Sequence, residues 1–246
     1  MNDEKNGFYG EIFQQKSKNT RTKERASISD QQRVDLYKSY ESAISRVSLP
    51  KPEFSPDIQF WDIINKRHST RAFKNEPISK MELSLLLHGQ TGLTRVFPKF
   101  AFRTIPSAGG LFPLEIYVAI NNVSEIEQGI YHYNIEKHEL ECLKQGDFSK
   151  TVADACYGQR MVAKSAINFI WTAIIERTRI TYGERAYRFI YLDCGHLGQN
   201  FYLAAEALGL NACVVGAYYD DDINQILDLD ETKEFAIYMG VVGKKR

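Results

Sequence analysis

Three short stretches of the sequence put chemically capable side chains close together. Arg67-His68-Ser69-Thr70-Arg71 holds two guanidiniums, an imidazole and two hydroxyls within five positions. Arg67 and Arg71 each offer a planar donor fork, and Ser69 offers a hydroxyl, a set suited to a phosphate. The same residues also make an ordinary basic helix end favoured by the macrodipole. Pro106 to Leu111 reads Pro-Ser-Ala-Gly-Gly-Leu. Residues this small let backbone N–H groups approach a ligand with no Cβ in the way, or they form a turn before a strand. In the third stretch, Thr181 to Phe189, Tyr182, Arg185 and Phe189 share one face of a helix at i, i+3 and i+7. Tyr182 could hold or pass a proton, with Arg185 favouring its anion. The alternative is a tyrosine packed on a surface helix.

Other polar groups point to less chemistry. His196 and Asn200 lie four apart on a helix, but a metal needs more ligands than this pair supplies, and no His-Glu-x-x-His occurs. A partly buried polar pair and no metal are expected. His132 and His138 flank a hairpin and are expected to face solvent. Neither a strand-linked G-x-G-x-x-G, nor a P-loop, nor a G-x-S-x-G elbow is present. Thirty-one basic residues balance 31 acidic ones, which excludes a nucleic acid or an anionic membrane held by bulk charge. No run approaches the roughly 18 apolar residues of a membrane span. The stretch MNDEKNGFYGEIF lacks the apolar centre of a secretory signal. Cys142, Cys156, Cys194 and Cys213 make no C-x-x-C and read as reduced thiols of a cytoplasmic protein. The 14 tyrosines and 14 phenylalanines suit a pocket for a ring system or an aromatic core equally well.

These residues need elements to position them. Residues 1–55 read as a polar helical arm and a Pro-containing linker, with Ser29 and Asp30 capping a helix from Gln31 and Pro50, Pro52 and Pro56 extending the chain. Residues 56–246 read as one domain. A helix through Phe60, Ile63 and Ile64, which form its apolar face, ends near Arg67. A second starts behind Ser79, with Glu82 at the capping-box position and Gly89 or Gly92 near its stop. Leu114–Ile120 is a buried strand. Gly129 to Leu143 is a hairpin turning at Asn134–Lys137, Lys150–Tyr157 a helix, and Ala166–Ile175 a central strand. The longest helix follows Gly183. Its apolar stripe is Phe189, Leu192, Leu197, Phe201, Ala204, Ala205 and Leu208, and Gly209 stops it. Two strands around a short helix close the chain. Without βαβ alternation the class is α+β.

Read in order, R-H-S-x-R, P-S-A-G-G-L-x-P-L-E-x-Y, G-I-Y-H-Y, Y-G-x-R-A-Y-R, G-H-x-x-Q-N, Val215-Gly216 and a terminal V-V-G resemble the nitroreductase superfamily of flavin enzymes. The second, third and fourth motifs look like its SagB-type dehydrogenases, which oxidise thiazolines and oxazolines in peptides to azoles. The resemblance spans about residues 56–243. It implies a mostly antiparallel sheet flanked by helices, in an interlocked homodimer. It implies FMN, with Arg67, His68, Ser69 and Arg71 on the phosphate and ribityl chain, and Lys245 or its neighbours Lys244 and Arg246 adding charge. Pro106, Ser107, Ala108, Gly109, Gly110 and Leu111 would lie against the flavin ring, from the partner subunit, and Val215, Gly216 and Ala217 near its other edge. In azoline oxidation a Lys-Tyr pair handles the proton. Here Tyr182 matches, but Thr181 replaces the lysine, so Arg185 or Arg179 supplies the charge or the reaction differs. The implied function is azoline oxidation beside a cyclodehydratase and a precursor peptide. The alternatives are NAD(P)H-dependent reduction of a nitroaromatic or quinone, and a non-catalytic scaffold.

Overall fold

A computed structural model of the chain describes residues 9–19, 35–55, 57–97 and 100–246. The start of the helix expected from Gln31, with its caps Ser29 and Asp30, lies outside the described residues, and residues 35–44, which follow it, are not helical. The centre is an eight-stranded sheet. It contains β1 (Ser45–Ser48), β2 (Phe73–Lys74), β5 (Leu114–Ile120), β6 (Gly129–Asn134), β7 (Glu139–Gln145), β8 (Ile167–Ile174), β9 (Leu210–Val215) and β10 (Glu234–Lys245). The order is β1-β7-β6-β5-β8-β10-β2, with β9 also on β10, and each of these pairings is antiparallel. A separate hairpin joins β3 (Leu93–Phe97) to β4 (Phe100–Arg103).

Every residue of β5 and β6, and all but the last of β8, is buried. Both faces of the sheet are covered, which is why these strands read as nearly unbroken apolar runs. Alternate residues divide between two cores, as a two-residue repeat requires. Ile116, Val118, Phe169 and Trp171 pack with α3 (Lys80–Thr91) and α7 (Ala186–Ala207). Tyr117, Ala119, Ile170 and Met239 pack with α4 (Ser149–Ala155), α5 (Arg160–Lys164) and α8 (Asp220–Ile226). The α3 capping box forms as expected: the Glu82 amide donates to Ser79 Oγ, and the Ser79 amide donates back to the Glu82 carboxylate. Gly209 ends α7 at φ 65°.

Four expectations are corrected. The α7 stripe holds at Leu197, Phe201 and Ala205 but not in the first half of the helix, where Ile190, Asp193 and Cys194 are inside and Leu192 is 60% exposed. The apolar residues of α2 (Phe60–Lys66) do not enter the core, with Phe60 56% and Trp61 73% exposed. The segment before α7 is no continuous helix. α6 (Glu176–Tyr182) stops at Gly183, φ 54°, and one tight turn follows before α7. Part of the expected arm is built into the fold: β1 pairs with β7, and Leu49 is buried.

Candidate active site

The loop from Pro106 to Leu111 is fixed from below by the long helix. Ser107 Oγ donates to Asp193 on α7 at 2.5 Å and accepts from the Phe112 amide at 2.9 Å. The Ala108 amide also donates to Asp193, at 3.3 Å. Burial pushes the Asp193 carboxyl above its ordinary value, and these two donors pull against that. Gly109 and Gly110 both take left-handed backbone, φ 65° and 64°. A Cβ on Gly109 would stand 2.9 Å from the Tyr182 hydroxyl, whereas one on Gly110 would meet nothing within 4 Å. Tyr182 Oη therefore rests against bare backbone at Gly109, and Gly110 leaves its side open.

Tyr182 packs its ring 4.5 Å from Phe189. Arg185 lies over the Phe189 ring at 5.6 Å and donates to the Ser17 carbonyl at 2.7 Å. Arg179 is held by Glu176 in an exposed ion pair. Neither guanidinium donates to Tyr182 among the described residues.

The Arg67–Arg71 stretch follows α2 and runs along β9. The Thr70 amide donates to the Ala212 carbonyl at 2.8 Å. Tyr202 of α7 joins the two: its hydroxyl meets Ser69 Oγ at 2.8 Å and accepts from the Val214 amide at 2.9 Å, and Arg67 lies 5.2 Å from its ring. This brings Ser69 to the strand that ends at Val215. Gly216 and Ala217 follow, exposed, with the Ala217 carbonyl taken by Gln159. His68 is exposed against the Lys66 carbonyl.

Arg71 opens into a cavity of about 630 Å³ together with Lys74, Arg160, Lys164 and Arg246, against a single carboxylate, Glu76. Such a space and charge suit an anionic ligand. Lys245 does not line it, and Lys244 is paired with Glu82 at 2.6 Å. No residue of 106–111 or 215–217 lines it either. The sequence-predicted residues thus form two groups, one around Tyr182 and the 106–111 loop, the other from Arg67 to Arg246.

A buried ionic network underlies the first group. His132, expected in solvent, is wholly buried between Glu115 at 2.9 Å and Glu141 at 3.0 Å. Neighbouring strands put these three side chains side by side on one face of the sheet. Burial alone would raise Glu115, but the Arg177 charge, with His132 and Arg103, more than reverses it and holds the carboxyl at about 2. Burial likewise works against charge on His132, and its two carboxylate partners outweigh that, so its value is raised. His138 is half-buried, in contact with Ser84 and Tyr133.

Asp193, Tyr202, Arg160 and Lys164 are the site residues that motif reading missed. Asp193 did leave a trace, as the acidic position on a stripe of Ile190, Cys194 and Leu197. Arg160 and Lys164 are an i, i+4 pair of cations. Asn200 is structural, donating to the carbonyls of Gly89 and Thr104.

Comparison with known proteins places residues 64–244 in a match to the nitroreductase family model. A protein of Methanocaldococcus jannaschii named as a nitroreductase is 36% identical over 81% of this chain and 96% of its own length. The trifolitoxin-processing protein TfxB of Rhizobium leguminosarum bv. trifolii is 31% identical over 58% of this chain, but the match spans only 39% of that protein. A crystal structure from Anabaena variabilis, also described as a nitroreductase, superposes with a TM-score of 0.72 at 26% identity, over 86% of this chain and 44% of the other.

Proposed function

Since the chain belongs to the nitroreductase family, we propose that it is an FMN-dependent oxidoreductase that carries reducing equivalents from NAD(P)H to a small oxidised acceptor such as a nitroaromatic or quinone. The observation that carries the flavin assignment is the cavity around Arg71, Arg160, Lys164 and Arg246. Its donor set fits a phosphate dianion, and the open side of Gly110 fits a flat ring laid on backbone. FMN, when bound, supplies hydride acceptance and donation. The protein's residues do the rest. The cavity cations bind the phosphate end, and Arg67 and Ser69 take the chain beside it. Asp193 holds the amides of the 106–111 loop in place. Tyr182 holds a proton at Oη for the acceptor.

In this reading the two groups of residues come from two copies of the chain, a reading supported by a cavity that contains none of the loop. We therefore include a homodimer in the proposal, its contact formed by the exposed Phe60 and Trp61 of α2 and by Phe97, Phe100 and Phe102 of the β3–β4 hairpin. Thr181 stands where the family has lysine, Arg179 is paired with Glu176 and Arg185 donates to the Ser17 carbonyl, so no cation donates a hydrogen bond to Tyr182 among the described residues, which favours the reductase over azoline oxidation. Similarity to the trifolitoxin-processing protein favours the second reading, oxidation of azolines in a peptide delivered by a cyclodehydratase.

Anaerobic stopped-flow mixing of the FMN-loaded protein separates the two. Rapid bleaching of the flavin by NADH or NADPH is the expected result. A flavin that stays oxidised with both nucleotides and bleaches with an azoline peptide overturns the reductase and establishes the second reading.

A further inference from the structure

The stretch from Asp35 to Tyr40 lies on the buried network beneath the 106–111 loop. Its backbone is held by two arginines. Arg177, on α6 and almost wholly buried, donates from Nε to the Asp35 carbonyl at 2.7 Å. From Nη1 it donates to Glu115 at 2.5 Å and to the Phe112 carbonyl at 3.3 Å. Arg103, at the end of β4, donates to the Leu36 carbonyl at 3.0 Å and to Thr91 Oγ1 at 3.2 Å, and its guanidinium lies 4.7 Å from the Phe112 ring. Both arginines thus hold the 35–36 backbone on one side and Phe112 on the other.

Phe112 is where the loop ends, and its backbone is strained. It has φ 44°, a left-handed backbone that a bulky L side chain rarely adopts. Such a conformation persists only where its surroundings over-determine it. Here the ring is met by Arg103, the carbonyl by Arg177 and the amide by Ser107 Oγ, the same hydroxyl that ties the loop to Asp193. Further along, Lys38 closes the segment down. Its ammonium meets Glu234 and the Tyr117 hydroxyl, each at 2.5 Å, while Tyr40 Oη lies 2.8 Å from Tyr117 Oη and the Tyr40 amide donates to Glu141 at 3.0 Å.

We propose that Arg103 and Arg177 are positioning residues that couple the Asp35–Tyr40 segment to the 106–111 loop through Phe112. Docking of that segment then sets the backbone offered to the flavin. The inference rests on the FMN reading for its purpose, but the coupling itself needs no flavin to be seen.

Hydrogen exchange on the full-length, flavin-free protein tests it, comparing Arg103→Gln, Arg177→Lys and Lys38→Met with wild type. Arg177→Lys keeps a charge for Glu115 but cannot span Asp35 and Phe112 together. Lys38→Met touches neither the loop nor Phe112, so it remains informative if both arginine variants loosen the whole sheet. The amides of Ala108, Gly110, Leu111 and Phe112 are expected to exchange about tenfold faster or more in each variant, the scale of one lost hydrogen bond to a charged group. The β5 and β8 amides should be unchanged in Lys38→Met. Loop amides at the wild-type rate in Lys38→Met overturn the coupling. An FMN titration of the same variants gives the second readout: a Kd raised severalfold with a displaced visible flavin band is expected, and wild-type affinity and spectrum overturn the positioning role. A wild-type protein that takes up no FMN but shows coupled exchange defeats the proposed function and leaves the coupling standing.

Discussion

At the scale of single residues, the contact between Tyr182 Oη and Gly109 makes two predictions. Tyr182→Phe removes the proton but keeps the ring on Phe189, so FMN affinity should hold while turnover falls about a hundredfold, the usual worth of a positioned proton donor. Unchanged steady-state turnover would remove Tyr182 from the reaction. Gly109→Ala puts a methyl group at 2.9 Å from that hydroxyl in a left-handed backbone, and should cost about 1–2 kcal/mol in urea unfolding and displace Tyr182. Wild-type stability would contradict the geometry. The His132 network makes a third, about pH. A histidine raised in the folded state adds stability that is complete below its ordinary value of 6.5 and is lost as pH rises through the folded value. Glu115, held at about 2 against an ordinary 4.5, adds stability that is complete above 4.5 and lost as pH falls toward 2. His88 and His138, both lowered by burial, act oppositely, losing stability as pH falls below 6.5. The difference between wild type and His132→Gln isolates the first contribution. That difference should shrink as pH rises above 6.5 in urea unfolding, and a difference that grows over the same rise would show His132 to be neutral when buried.

At the scale of elements, capping and punctuation were legible and packing direction was not. The Ser79/Glu82 box, the Gly209 stop and the apolar β5 and β8 runs are local, and each formed where its residues predict. Phe60, Ile63 and Ile64 have the period of a core helix, but period does not say whether the core belongs to one chain. Nor does the alternation of His132 along β6 say that both sheet faces are covered. Leu192 failed likewise, because a 22-residue helix with apolar residues on several sides leaves its buried stripe undetermined. The exposed α2 face carries a prediction of its own. Trp61→Glu should shift the protein from dimer to monomer in sedimentation velocity and weaken FMN binding with it. A dimer that survives would place the contact elsewhere.

Across the whole molecule, the candidate site was legible only as separated motifs. Side-chain types marked Arg67 and Arg71 as candidate phosphate donors and the loop around Gly109 as bare backbone. Asp193, Tyr202 and Arg160 carry no such signature. What they do depends on α7 and α5 bringing distant segments together, which only the assembled sheet shows. The same holds for the 35–40 segment, whose carbonyls are gripped by arginines 67 and 142 positions away. The proposal's central claim is that this assembly binds FMN. The direct measurement is the visible absorption of the purified protein after incubation with FMN and gel filtration. The account predicts a yellow protein retaining about one flavin per chain, with retention much reduced in the Arg71→Ala, Arg246→Ala double variant. A colourless protein, with all the flavin eluting free, would contradict it.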